Sequence, residues 1–319
     1  MVGYYQNDIL TEKQKLIAGC ISGIVTRFIT QPLDVIKIRT QLEQKTDSKY
    51  KKMWFGISRK IIKKEGITAF YYGHNLGQIH SILAVSSQFF VYELGTKYAS
   101  NIQTETLRPT FTFLCGVLAG GCSATLVSPI EVIRLRQIIL QKQYHGIYNG
   151  AKTVYKHGGI LAFYEGLSAS LIQMGPAVGI SFGVFQLLQK RLLNYLQECD
   201  DNCKISSTNP HKPGHLLISS TVAGSCAGFV SKTITYPFEL VKRRLQIASH
   251  KDDDQKIKKH YIKCKGLVNC IVDTYQADGF LGLFRGWKVT IYKAQLTSVI
   301  AFTTYELACY TIRELQNFM

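Results

Sequence analysis

Three short stretches, QPLDVIKIRT, SPIEVIRLRQ and YPFELVKRRL, each set a carboxylate and then cations behind a proline. They supply Pro32, Asp34, Lys37 and Arg39; Pro129, Glu131, Arg134 and Arg136; and Pro237, Glu239, Lys242 and Arg244. An acid and a base three residues apart share one face of a helical turn, so the chemistry on offer is ion pairing. A Pro-x-acid-x-x-base match arises by chance about once per thousand positions. Three copies at roughly hundred-residue intervals are therefore a repeat. A second motif recurs with it: EGITAFYYG, GGILAFYEG and DGFLGLFRG end at Gly73, Gly166 and Gly286.

Further cations keep register with these landmarks. Five residues before the prolines stand Arg27, Ala124 and Lys232, and seven residues after the repeat glycines stand His80, Gln173 (followed by Met174) and Lys293. On helices these positions lie about 8 Å and about 10 Å from their landmarks. Three cations and a histidine around one space call for an anion, most simply one that carries phosphates.

Positioning such residues requires long helices. Stretches of helical length and mixed apolar character cover approximately 14–40, 70–98, 111–137, 163–193, 215–245 and 284–313. Each is interrupted by Gly, Ser, Thr, Gln or a charge, as suits helices with lipid on one side and water on the other. A soluble bundle of amphipathic helices is the alternative. Against it, Gly19 and Gly23, Gly116 and Gly120, and Gly224 and Gly228 place a GxxxG in every odd-numbered span. In a soluble helix that pair would cost roughly 2 kcal/mol; in a membrane it lets helices approach closely. The spacing predicts an all-α membrane protein of six transmembrane helices in one domain, residues 1–319. Its three repeats cover approximately 10–105, 106–205 and 206–319, with short helices near 55–65, 147–157 and 266–278.

The chain carries a net charge of +17, with 46% apolar and 18% charged residues and a mean hydropathy of +0.03. Its basic residues gather in the loops that follow odd spans, as in SKYKKMWFGISRKIIKKEG and KIKKHYIKCKG. That is a topology signal, with both termini opposite the basic loops, and no nucleic-acid partner is expected. The N-terminal MVGYYQNDILTEKQK carries Asp8 and Glu12 and resembles neither a secretory signal nor a transit peptide. Cysteines within apolar stretches, such as Cys20, Cys115 and Cys226, read as reduced, buried thiols. Cys199, Cys203, His211 and His215 have a loosely zinc-like spacing, but in a polar linker, and no metal is expected. The chain has no P-loop, GxSxG or HExxH, so no enzyme is expected.

Three repeats of Pro-x-acid-x-x-base with a following acid-Gly motif and six spans resemble the mitochondrial carrier family over almost the whole chain. The resemblance implies a monomeric barrel of six tilted helices in the mitochondrial inner membrane, with basic loops and short helices toward the matrix and both termini toward the intermembrane space. It implies inner-membrane lipid, cardiolipin among it, near Gly73, Gly166 and Gly286. It also implies a matrix gate in which Asp34, Lys37, Glu131, Arg134, Glu239 and Lys242 close a ring. At an effective dielectric near 20, each pair at contact is worth up to ~4 kcal/mol before desolvation is subtracted. The substrate contacts it implies are Arg27, Lys232, Lys293, His80, Gln173 and Met174.

A second gate in that family uses aromatic-acid-x-x-base on the even helices, and here the chain departs. Tyr92 and Glu93 are followed by Thr96, Phe185 and Gln186 by Gln189, and Tyr305 and Glu306 by Cys309. The cytoplasmic-side gate is therefore expected to be weak. The repeat-two motif also departs, at Gly158 and Glu165. MVGY, VTRFITQPLDVIKIR and SKTITYPFELVKRRLQ resemble the branch of the family that carries thiamine pyrophosphate in exchange for nucleotides, as substrate and not as cofactor. Glu93 or an aromatic face suits its cationic thiazolium. The alternatives are a carrier for adenine nucleotides or coenzyme A, and an uncoupler that leaks protons or anions.

Overall fold

The computed structural model describes residues 11–42, 53–99, 108–140, 144, 146–202, 213–247, 264 and 266–318. Within them the chain forms α1 (Glu12–Leu42), α2 (Met53–Glu65), α3 (His74–Ala99), α4 (Arg108–Ile139), α5 (Ile147–Gly158), α6 (Leu167–Asn202), α7 (Pro213–Leu245), α8 (Leu267–Asp278) and α9 (Trp287–Phe318). Each short helix is followed by a five-residue 3₁₀ turn, at Ile67–Tyr71, Ile160–Tyr164 and Phe280–Phe284. The long helices α1, α4 and α7 run on through Pro32, Pro129 and Pro237. Three of the six long helices are long and apolar enough to cross a membrane on length and composition: 14–42, 113–139, and the stretch 160–196 that includes most of α6. The other three are diluted by the polar residues noted above.

The closest helix pairs are α3 with α4, α6 with α7, and α1 with α9, so the first helix meets the last and the six long helices close into a ring. The repeat glycines make the closure possible at the proline end. Gly73, Gly166 and Gly286 have φ of +72°, +79° and +84°, a region that disfavours side chains. A Cβ there would stand 3.2 Å from Arg134 Cγ on α4, 2.8 Å from the Lys242 carbonyl on α7, and 3.0 Å from the Tyr236 hydroxyl. The residue before each proline adds a tie within its own repeat. Gln31 donates to the Tyr72 carbonyl (3.2 Å), Ser128 to the Phe163 carbonyl (3.1 Å) and Tyr236 to the Arg285 carbonyl (2.6 Å). Beneath them, apolar clusters pack each short helix against an odd helix: Val35 and Leu42 on Ile57 and Ile61, Ile133 on Val154, and Val241 and Leu245 on Cys270.

Two expectations are corrected. Four of the six GxxxG glycines are not where the helices touch: a Cβ at Gly19, Gly23, Gly116 or Gly228 meets nothing within 4 Å, whereas one at Gly120 would stand 3.3 Å from the Met174 sulfur and one at Gly224 3.9 Å from the Phe185 ring, both on α6. The buried stripe is one residue earlier: Ala18 and Ser22, Cys115 and Ala119, Ala223 and Ala227. One residue is about 100° of helix rotation, so Ala, Ser and Cys face the neighbour while Gly19, Gly23, Gly116 and Gly228 point elsewhere. The stripe is fastened by hydroxyls, Ser22 to the Ala301 carbonyl (2.7 Å), Ser123 to the Ala84 carbonyl (2.8 Å) and Ser231 to the Ala177 carbonyl (2.6 Å). The second correction concerns cysteine. Cys115 is a buried free thiol, but Cys20 and Cys226 lie exposed on the bundle's surface, and Cys264 is bonded to Cys270. That bond fills the place taken in repeat two by Tyr144 over Gly150, where the added Cβ would meet Ile133 at 2.7 Å. Cys203 and His211 lie outside the described residues, and with them the loosely zinc-like cluster.

Candidate functional site

The three acid–base motifs meet at the proline end, and each acid pairs with the base of a different helix. Arg134 reaches Asp34 at 3.2 Å, Lys242 reaches Glu131 at 2.8 Å, and Lys37 reaches Glu239 at 2.5 Å. The links run α4 to α1, α7 to α4 and α1 to α7, which closes a cycle. Side-chain exposures between 8% and 17% put these pairs largely out of water, where charge interactions are strongest and an unpaired charge is most costly.

Every acid in the ring also holds a second cation. Lys293 of α9 pairs with Asp34, Lys232 of α7 pairs with Glu239 at 3.1 Å, and Arg243 pairs with Glu131 at 2.9 Å. Two of these, Lys293 and Lys232, are the cations that the sequence register singled out as anion contacts, and they remain 26% and 46% exposed. Arg243 differs. It is fixed from below by Gln246 at 3.1 Å, and its positions in the other repeats hold Ile38 and Leu135. The sequence reading passed over it, although a run of three cations at 242–244 was its visible signal.

The remaining site residues sit around this ring. Arg27 is half-buried, interacts electrostatically with Arg134 and Asp34, and makes no ion pair among the described residues. His80 is half-buried among Glu131, Arg134, Arg243 and Arg27, and its Nδ1 is buried without a hydrogen-bond partner. Gln173 is half-buried, and Met174 lays its sulfur against Gly120 of α4, 3.3 Å from where a Cβ would be. At the far end of the bundle Tyr92, Glu93 and Gln186 are exposed, while Phe185, Tyr305 and Glu306 are half-buried. Glu93 and Glu306 have no ion pair among the described residues. Thr96 turns back to carbonyls of its own helix, Cys309 packs on Ala18, and Gln189 donates to Ser220 of α7 at 3.0 Å.

A family model described as mitochondrial carrier protein matches residues 11–102, 105–196 and 215–314. The chain belongs to the mitochondrial carrier family. The family is one of membrane transporters. Among its curated relatives, the human mitochondrial thiamine pyrophosphate carrier is 34% identical over 308 residues, covering 94% of this chain and 92% of the relative. The protein of the same name in Macaca fascicularis is 34% identical over 309 residues, at the same coverage. The mitochondrial thiamine pyrophosphate carrier 1 of Saccharomyces cerevisiae is 29% identical over 306 residues, covering 93% of each.

Within this carrier framework the odd motif of repeat two has a physical explanation. The second cation of each proline motif ties its odd helix to the segment that follows it in the same repeat. Arg39 holds Glu65 through two bonds of 2.9 and 2.6 Å, and Arg244 lies 3.6 Å from Asp278. Both acids immediately precede a glycine, Gly66 and Gly279. In repeat two that place is Gly158, so Arg136 turns instead to Glu165, seven residues on, at 2.8 Å. The Arg136 side chain is fully buried, and a buried guanidinium without a carboxylate would carry a large desolvation penalty. The acid missing from Gly158 is thus replaced by the acid at 165.

Proposed function

We propose that this carrier moves thiamine pyrophosphate across the mitochondrial inner membrane by alternating access, in exchange for nucleotides. The observation that carries the reading is the double engagement of the ring acids. Lys293 and Lys232 pair with Asp34 and Glu239, and a diphosphate offers those lysines a better partner. A diphosphate held first by Arg27, which makes no ion pair among the described residues, draws both lysines off their acids. Asp34 then keeps only Arg134 and Glu239 only Lys37, while Glu131 keeps both Lys242 and Arg243. A ligand shifts a conformational equilibrium by its differential affinity for the two states; here the differential is the loss of two ion pairs on the closed side. The relatives' names support the choice of cargo among phosphate-bearing anions.

In this reading the ionic ring is the matrix gate, and the far end of the bundle faces the intermembrane space. Uptake of labelled thiamine pyrophosphate into liposomes carrying the purified protein, with and without internal ADP, tests it. Rapid uptake that requires internal ADP is the expected result. Uptake of adenine nucleotides or coenzyme A in the same liposomes, with none of thiamine pyrophosphate, would overturn the cargo. A dissipated potential without any counter-substrate would indicate an uncoupler.

A further inference from the structure

The three links of the ring are not chemically equal, since one uses Arg134 where the others use Lys37 and Lys242. Opposite that single arginine lies a feature with no counterpart in the other repeats. The fourth residue after each repeat glycine is Gly77 on α3, Ser170 on α6 and Thr290 on α9. The serine and threonine hydroxyls turn back to the Gly166 and Gly286 carbonyls, at 3.3 and 3.1 Å. Gly77 has no side chain, and the space is taken by the guanidinium of Arg134. A Cβ on Gly77 would stand 2.9 Å from Arg134 Cζ, 2.9 Å from Nε and 3.1 Å from Nη2.

We propose that Gly77 is a positioning residue for the ring: it supplies the slot in which the Arg134 guanidinium lies, and so sets the reach of that guanidinium to Asp34. The guanidinium is held through Nη2 alone, to Asp34 at 3.2 Å and to Gln31 at 3.3 Å. Both bonds are near the upper limit for a hydrogen bond. The end of an arginine moves easily, so a Cβ at 77 displaces it without disturbing the backbone, and a displacement of a few tenths of an ångström breaks both bonds. A lysine has no planar head to lodge in such a slot, and in the two repeats whose links use lysine the equivalent positions carry the side chains of Ser170 and Thr290. The inference rests on the proposed function only in calling the ring a gate.

A double-mutant cycle on the purified protein in detergent tests this without any cargo. Alanine and serine both suit a helix interior better than glycine does, so a Gly77 that merely lined a helix would gain stability on substitution. We expect the reverse: Gly77→Ser lowers the unfolding temperature by roughly 2–4 °C. Adding Arg134→Lys to Gly77→Ser, which recreates the Lys242 and Ser170 pairing, restores it to that of Arg134→Lys alone. Gly77→Ala carries the same cycle if the serine variant does not purify. Gly95→Ser is the control, since its Cβ would meet Cys115 Sγ at 2.9 Å, and Arg134→Lys must not rescue it. An unchanged or higher unfolding temperature for the Gly77 variants, or a loss that Arg134→Lys leaves in place, would overturn the proposal. In liposomes, Gly77→Ser should also raise efflux of preloaded thiamine pyrophosphate in the absence of counter-substrate. If the wild-type protein moves none of it, the cargo assignment fails while the cycle still decides the role of Gly77.

Discussion

The two ends of the helical ring are closed by different chemistry. At the proline end three carboxylates hold six cations, so the junction is both tightly paired and left with surplus positive charge. At the far end the described contacts between helices include neutral bonds, such as Gln189 with Ser220 and Ser22 with Thr304 at 2.8 Å, while Glu93 and Glu306 form no ion pair among the described residues. A net bond between neutral groups is worth about 0.5–1.5 kcal/mol, and breaking a buried ion pair costs several times more. The described contacts are therefore ionic and costly to break at one end, and at the other include neutral bonds that water can replace at lower cost. In the proposed function, the surplus charge at the proline end is what draws an anion in.

The strongest way to break this contrast is to remove a ring acid. Glu239→Gln leaves Lys37 and Lys232 without their carboxylate in a site only 8% exposed on the glutamate side. We expect a loss of about 3–5 kcal/mol, read as a large fall in unfolding temperature, together with loss of specific transport. Removing a cation that the proposed function shares between a ring acid and the cargo should behave differently. Lys293→Ala leaves Asp34 paired with Arg134, so the protein should fold and insert while uptake of thiamine pyrophosphate falls to background. Retained uptake at the wild-type rate would show that the anion contacts lie elsewhere.

How much of this was legible in the sequence follows from which signals repeat. The long helices and the short ones were readable from the landmarks: α5 was expected near 147–157 and forms over Ile147–Gly158. The ring residues were readable because proline, acid and base recur at fixed spacing three times. The packing stripe was not, because Ala18 and Gly19, or Ser22 and Gly23, are all small, and size alone leaves the rotational phase of a helix open by one residue. Arg243 was hidden by the same averaging, since its repeat equivalents are the apolar Ile38 and Leu135. The partner of Arg136 was hidden because a motif register locates an acid by counting, whereas a flexible arginine can reach one seven residues further along. At the far end the missing bases were visible, but the hydrogen bond from Gln189 was not, because Ser220 belongs to no repeated motif.

The relocated acid of repeat two gives a prediction of intermediate size. Glu165→Gln should cost about 1–3 kcal/mol, because the fully buried Arg136 keeps its bond to the Gln246 carbonyl at 3.1 Å but loses its counter-charge. Adding Gly158→Glu restores an acid at the position used by Glu65 and Asp278. Gly158 closes α5 and has no positive φ, so a side chain is tolerated there. Recovery in the double variant, measured by thermal unfolding, would show that the acid had been moved and not lost. Failure to recover would mean that Glu165 has a task of its own.

The smallest effect belongs to the neutral end, and it is the one that sharpens the comparison most. Gln189→Ala removes a bond between a half-buried amide and a hydroxyl, so its cost should stay at or below about 1 kcal/mol. Gln189→Lys goes further, because it puts a base at the position where the carrier pattern has one. With Gln186 in place of an acid in the same repeat, that lysine would look for Glu93 or Glu306 on neighbouring even helices. If the weakness of this end is what lets it open readily, the added cation should slow exchange in liposomes while raising the unfolding temperature. A lysine that changes neither quantity would mean that the far end is governed by something other than its lack of charge pairs.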